Sequence, residues 1–181
     1  MKRLIKATAI LAALFLASPA SAADKGGPPA KVDATGEPKN FQGCYVQAAG
    51  QKMFLEVAGL GDSASTFLAG AGCDIQRGKL IFGLSGSYGF GENDLRVAEI
   101  AGRAGILVNP HALVYGLLSL TMDGRSPKLD DSFLSAGVGI ELYLGSKHWT
   151  TFIEGATTIK SFGDTDGADL HSIKLGLKYR F

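Results

Sequence analysis

The chain has 181 residues, 46% of them hydrophobic, with 18 basic and 17 acidic side chains. A balance so near neutrality argues against a nucleic-acid partner, and the length suits one domain. After residue 22 no apolar run approaches the roughly 18 residues of a membrane helix, so the apolar residues must be used in another way.

Lys2, Arg3 and Lys6 form a basic head, followed by an apolar run over 7–17 and the small residues 18–23. This is the order of a secretory signal peptide, with Ala20-Ser21-Ala22 as the cleavage motif. The run is too short for a membrane anchor, which needs about 20 apolar residues. Residues 1–22 are therefore assigned as a cleaved signal. Its loss leaves 15 basic against 17 acidic side chains, a net charge of −2. Residues 23–40 are rich in Gly, Pro, Ala and charge, and Pro28, Pro29 and Pro38 oppose a continuing helix or ladder. They read as a flexible periplasmic linker.

From Phe41 onward the pattern has period two, the mark of a strand between an apolar and a polar medium. Strands are expected at 41–55, 66–76, 80–90, 96–108, 112–122, 133–144, 149–162 and over the last twelve residues. In that last strand His171, Ile173, Leu175, Leu177, Tyr179 and Phe181 alternate with Ser172, Lys174, Gly176, Lys178 and Arg180. Short links fall at 77–78, 109–111 and 145–147, and longer polar loops at 57–65, 91–95, 123–131 and 163–169. Short turns at one end and longer loops at the other are the layout of an outer-membrane barrel. The loop side is acidic, with ten carboxylates against Arg125 and Lys128, whereas Arg77, Lys79 and Lys147 lie at the turns.

A soluble sandwich would show the same alternation, so the charged residues on the polar face must decide. In an eight-stranded barrel the interior is only wide enough for side chains, and charges there must pair. Glu99, Glu141 and Glu154 face the same side as Arg103, Lys160, Lys174, Lys178 and Arg180, and we assign all eight to a lumen network. Phe41, Trp149, Tyr179 and Phe181 mark one aromatic girdle, and Phe54, Phe67, Tyr88, Phe90 and Phe162 the other. The expected fold is all-β, an eight-stranded antiparallel up-and-down transmembrane β-barrel over residues 41–181.

The two cysteines enter an oxidising compartment on export. Antiparallel strands with a loop centred near 58–59 set Cys44 opposite Cys73, close enough for a disulfide. The alternative is two free thiols on the lipid face.

The opening Asn40-Phe41-Gln42-Gly43-Cys44-Tyr45-Val46 resembles the aromatic-x-Gly-x-Tyr start of the opacity-like outer-membrane β-barrel family. The segment Ile100 to Gly105 with the turn Asn109-Pro110, the strand Phe152-Ile153-Glu154, and the ending Ile173 to Phe181 are similar to later elements of that family. The resemblance covers 40–181. Cys44 replaces the usual aromatic, and Ala101 and Ala156 stand where arginines are common. The resemblance implies residence in the outer membrane of a Gram-negative bacterium, and recognition of Tyr179 and Phe181 by the outer-membrane assembly machinery.

Nothing points to catalysis. His111, His148 and His171 are scattered, and His171-Ser172 point to opposite faces of a strand. Asp164-x-Asp166-Gly167 is a calcium-loop fragment without its downstream Glu. We therefore expect no enzyme, cofactor or metal site. The expected role is structural, contributing to envelope integrity and presenting short acidic loops, with a narrow porin-type pore as the alternative. Partners would be outer-membrane lipid and lipopolysaccharide, reached through divalent cations, with no nucleic acid. Deletion of Phe181 should leave periplasmic aggregates in place of outer-membrane protein on fractionation. Normal outer-membrane levels of the truncated chain would refute this role.

Overall fold

The computed structural model describes residues 41–57, 60–125, 132–145, 148–162 and 169–181. The signal peptide and linker assignments, and Asp164 to Gly167, lie outside them. Eight strands follow in order: β1 Gly43–Val57, β2 Leu60–Arg77, β3 Leu80–Gly91, β4 Arg96–Asn109, β5 Ala112–Asp123, β6 Ser132–Tyr143, β7 Trp149–Ser161 and β8 Asp169–Arg180. Each pairs antiparallel with the next, and β8 pairs with β1, so the sheet is a closed barrel. Closure leaves no strand edge unpaired. Among the described residues no helix is long and apolar enough to cross a membrane.

The alternation of side chains becomes an inside and an outside. On β8, Ile173, Leu175 and Leu177 are exposed on the outer wall, while Lys174 and Lys178 are buried inside. Phe82 and Leu84 on β3, and Ile100 and Ile106 on β4, continue the outer apolar wall. An apolar exterior around a charged interior reverses the order of a water-soluble barrel. It is the arrangement for a protein whose solvent is lipid.

The first long loop differs from expectation. The polarity of residues 57–65 predicts a loop, but β1 runs to Val57 and β2 starts at Leu60, with Leu55 opposite Asp62 and Lys52 opposite Ser65. A backbone ladder needs no apolar side chains, so pairing continues beyond the apolar band. After β3 the chain makes a short 3-10 turn, Glu92–Asp94, where Asp94 takes a left-handed φ of 58°. At the opposite end Gly78 (φ 58°) and Gly145 (φ 69°) supply the positive dihedrals that tight turns require.

Phe41 also departs from expectation. It is no girdle residue: it is fully buried, its backbone N–H donates to Gln76 Oε1 at 3.2 Å, and its ring meets Tyr143 edge-on at 4.8 Å. Gly43, at φ +117°, turns the chain from this position into β1. Phe41, two residues before the first strand, thus caps the terminal mouth of the barrel. Trp149, Tyr179 and Phe181 do stand together outside, with ring centroids 5.2 and 5.8 Å apart.

Cys44 and Cys73 are direct cross-strand partners, and they form a disulfide with a Cα–Cα distance of 3.9 Å. The bond lies outside the barrel and ties β1 to β2 near the terminal mouth. Closing a loop over 29 positions restricts the unfolded chain, an effect worth about 3.5 kcal/mol. The C44S/C73S protein should show that loss in urea unfolding followed by Trp149 fluorescence. An unchanged midpoint would mean that the bond contributes nothing to the folded state's advantage.

Candidate functional site

Among the described residues, the buried charges gather in the interior. Its lower layer, toward the termini, draws one charged group from each even-numbered strand. Asp74 comes from β2, Arg103 from β4, Glu141 from β6 and Arg180 from β8, joined by Lys178 one inward position along β8. Arg103 Nε donates to Asp74 Oδ1 at 2.9 Å and Nη1 to Glu141 Oε2 at 2.7 Å. Arg180 Nη2 reaches Glu141 Oε1 at 2.7 Å and Asp74 Oδ2 at 2.8 Å. Lys178 Nζ donates to Glu141 Oε2 at 2.8 Å, and Thr150 Oγ1 to Glu141 Oε1 at 2.7 Å. Glu141 therefore accepts from three cations and a hydroxyl while wholly shielded from solvent. The ion pairs among these contacts run between strands that are not neighbours, so they reach across the lumen.

Aromatic rings from odd-numbered strands fill the gaps. The Arg103 guanidinium lies 5.4 Å from the Tyr45 ring and 4.9 Å from the Tyr115 ring, and Lys178 Nζ lies 4.4 Å from Phe152. Such contacts hold a cation against apolar surface without a second counter-ion. Glycines make the room. A Cβ on Gly139 would lie 2.6 Å from the Tyr115 ring, one on Gly72 2.5 Å from Tyr45 Oη, and one on Gly83 inside the Asp74 carboxylate. Small residues opposite large ones are how a narrow barrel interior fills.

A second layer sits further from the termini. Lys174 Nζ lies 2.6 Å from Glu99 Oε1 and 3.3 Å from Glu154 Oε2. Tyr115 Oη donates to Glu154 Oε1 at 2.8 Å, which links the two layers through one ring. Above it Met53, Val97 and Leu170 form an apolar cluster. Below the lower layer, Arg180 Nη1 donates to the Phe41 carbonyl at 2.9 Å, which fastens the cap.

Seven of the eight residues assigned to the lumen from sequence face inward: Glu99, Arg103, Glu141, Glu154, Lys174, Lys178 and Arg180. Lys160 does not. The pairing of β6 with β7 shifts between Leu134 and Ser135, so Thr158 faces Ser135 but Lys160 faces Leu134. This bulge inserts one residue, Ile159, and turns Lys160 to the outer wall, where its Nζ lies 4.8 Å from the Phe162 ring. The sequence reading also omitted Asp74, although the outward Cys73 and Ile75 on either side of it dictate its inward direction. With both changes made, four acids face four bases among the described lumen residues. The interior is neutral.

Among the described residues no three His, Cys, Asp or Glu side chains gather as a metal ligand set. His111 lies in the turn after β4, its N–H donating to Asn109 Oδ1 at 2.8 Å. His148 Nδ1 meets the Arg180 carbonyl at 2.9 Å, and His171 Nδ1 meets Thr157 Oγ1 at 2.8 Å. The three histidines lie apart.

Removing one side of a buried ion cluster strands the other, at a cost of about 3–5 kcal/mol. The Glu141→Leu barrel should lose its heat-modifiable gel mobility at clearly lower temperature in detergent. Lys160→Gln, outside the lumen, should leave that temperature unchanged. Equal behaviour of the two variants would show that the lumen network does not support the fold.

A search of curated proteins finds no match. Among solved structures, a de novo designed transmembrane β-barrel superposes with a TM-score of 0.52 at 15% identity, covering 76% of this chain and 95% of that one. Neisserial surface protein A gives 0.52 at 13% identity, covering 76% and 97%. Ail, the attachment invasion locus protein of Yersinia pestis, gives 0.52 at 16% identity, covering 77% and 99%. At such identities the likeness concerns the fold alone. The family described as outer membrane protein beta-barrel domain matches residues 7–181, and with its closed antiparallel barrel, apolar wall and filled lumen, the chain belongs to that family.

Proposed function

We propose that this protein is a closed, structural barrel of the Gram-negative outer membrane, contributing to envelope integrity and presenting short acidic loops. The observation that carries the reading is the lower lumen layer, where Asp74, Arg103, Glu141, Lys178 and Arg180 join across the barrel axis. A channel needs a continuous wet path. Here that path would have to break a cluster in which each carboxylate contacts at least two cations, and then displace Phe41. A narrow porin-type pore is the alternative, and the filled interior weighs against it.

The same pairing speaks against catalysis. A general acid or base must exchange protons with a substrate, yet these carboxylates and cations are engaged with one another. Lipid and lipopolysaccharide are the surroundings that the apolar wall suits. Export through the signal ending at Ala22, and recognition of Tyr179 and Phe181 by the outer-membrane assembly machinery, complete the proposal.

Planar-bilayer recording of the purified protein tests it. Baseline current without steady unitary steps is the expected result, and regular sizeable channels would replace the structural reading with the pore. A deletion strain should leak periplasmic contents under detergent stress. An unaltered envelope would remove the integrity role.

A further inference from the structure

The lumen is neutral as a whole but not layer by layer. In the lower layer two carboxylates, Asp74 and Glu141, meet three cations, Arg103, Lys178 and Arg180, a net charge of +1. In the upper layer Glu99 and Glu154 share the single ammonium of Lys174, a net charge of −1. Lys174 on β8 reaches Glu99 on β4, the strand on the far side of the barrel. Only Oε1 of Glu99 is engaged in that pair, at 2.6 Å. Its Oε2 has no partner among the described residues.

Uncommitted polar groups surround that oxygen. Thr121 on β5 pairs in register with Glu99, Ser119 is the next inward residue of β5, and Ser135 on β6 pairs with Ser119. On the opposite wall Gln51 of β1 pairs with Lys174. Gln51, Glu99, Ser119, Thr121 and Ser135 all point inward, and none is more than 8% exposed. The three hydroxyls have no hydrogen-bond partner among the described residues, and Gln51 has only a long contact, from Thr66 Oγ1 to its Oε1 at 3.5 Å. Yet the one side-chain polar atom among the described residues that is both enclosed and unpartnered is Arg180 Nε. The free atoms of the upper lumen therefore border open space inside the barrel. Buried polar groups left unpaired cost free energy, so that space suits an occupant that pairs with them.

We propose that this space binds a monovalent cation, an alkali metal ion or ammonium, held by Glu99 Oε2, the hydroxyls of Ser119, Thr121 and Ser135, and the amide oxygen of Gln51. A half-turn of the Gln51 amide points Oε1 to the axis and lets Nε2 donate to Thr66 Oγ1. An all-oxygen set suits a hard cation, and neutral oxygens can replace the hydration shell of a monovalent one. One positive charge is what the layer lacks, and a divalent ion would exceed it. The floor of the site is the lower layer, whose excess positive charge repels the ion from any deeper position. The roof is the cluster of Met53, Val97 and Leu170. Met53 is unbranched and adaptable, so the ion enters beside it from the outer end. There Asp62, Glu92, Asp94 and Asp123 stand exposed against Arg96 and Arg125, a balance that draws cations in. A site entered and left by the same mouth carries no current.

The inference rests on the closed-barrel reading above, and its test is separate. The signal-free chain is folded in uncharged detergent. The temperature at which heat-modifiable mobility is lost is then measured in sodium, potassium or ammonium chloride, against N-methylglucamine chloride at equal ionic strength. An ion bound only by the folded barrel raises that temperature in a saturable way, and N-methylglucamine is too bulky for a lumen only as wide as its side chains. The wild-type protein should show the saturable rise in at least one small cation, and the salt that gives it identifies the occupant. E99Q should weaken the apparent affinity about tenfold or more, and T121V, which keeps the shape, about fivefold. K160Q, on the outer wall, should leave it unchanged. E99Q also takes a partner from Lys174; if that variant does not fold, T121V against K160Q decides. Equal temperatures in all four salts, a saturable rise that survives E99Q and T121V, or an equal loss in K160Q would each overturn the proposal. Regular channels in the bilayer recording would sink the closed barrel whatever the salts show. A silent recording without any small-cation effect would leave the structural reading standing and remove this site.

Discussion

The structure depends on the meeting of Glu141 with Arg103, Lys178 and Arg180 inside a barrel too narrow to keep them wet. Lipid outside fixes the apolar wall, and eight strands fix a lumen about as wide as its own side chains. Whatever polar residues point inward must then satisfy one another. Four acids and four bases do so in two layers, and each ion pair removes a cost that burial would otherwise impose. Because the lower-layer partners come from β2, β4, β6 and β8, the network also acts as cross-bracing. The backbone ladder joins neighbours only; these ion pairs join strands that are next but one.

That bracing explains features that look unrelated along the chain. Gly72, Gly83 and Gly139 are where Tyr45, Asp74 and Tyr115 need space, so glycine in the strands reflects what stands opposite. Tyr115 serves both layers, donating to Glu154 and stacking against Arg103. Thr150, fully buried, satisfies an oxygen of Glu141. Each of these residues is intelligible only as part of a filled cross-section.

The fold was legible because it rests on the most local of signals. Period two in β3, β4, β6 and β8, with apolar and polar sets kept apart, fixes inside and outside, and the sum rule for a hairpin fixed Cys44 opposite Cys73. What was not legible is what breaks local rules. Lys160 has inward parity on paper, and only the extra residue at Ile159, a property of pairing with β6, sends it outward. Asp74 went unassigned because Gly, Ala and Cys dominate its strand and dilute the contrast between faces. Phe41 was taken for a girdle residue because an aromatic beside a strand start has two destinations, lipid or mouth; Gly43 and Gln76 select the second. The polar side chains of 61–65 have the look of a loop, yet polarity does not prevent backbone pairing, and these residues pair with β1.

The cap at the terminal mouth has a consequence for the order of events. Phe41 is held through its carbonyl by Arg180, and the two are separated by nearly the whole barrel sequence. Phe41 can therefore be seated only once Arg180 has arrived. A chain that stalls before β8 leaves Phe41 without its clasp and the Glu141 carboxylate short of two of its three cations. The seated cap is thus a chemical record of a closed barrel: the entry to β1 and the end of β8 certify each other.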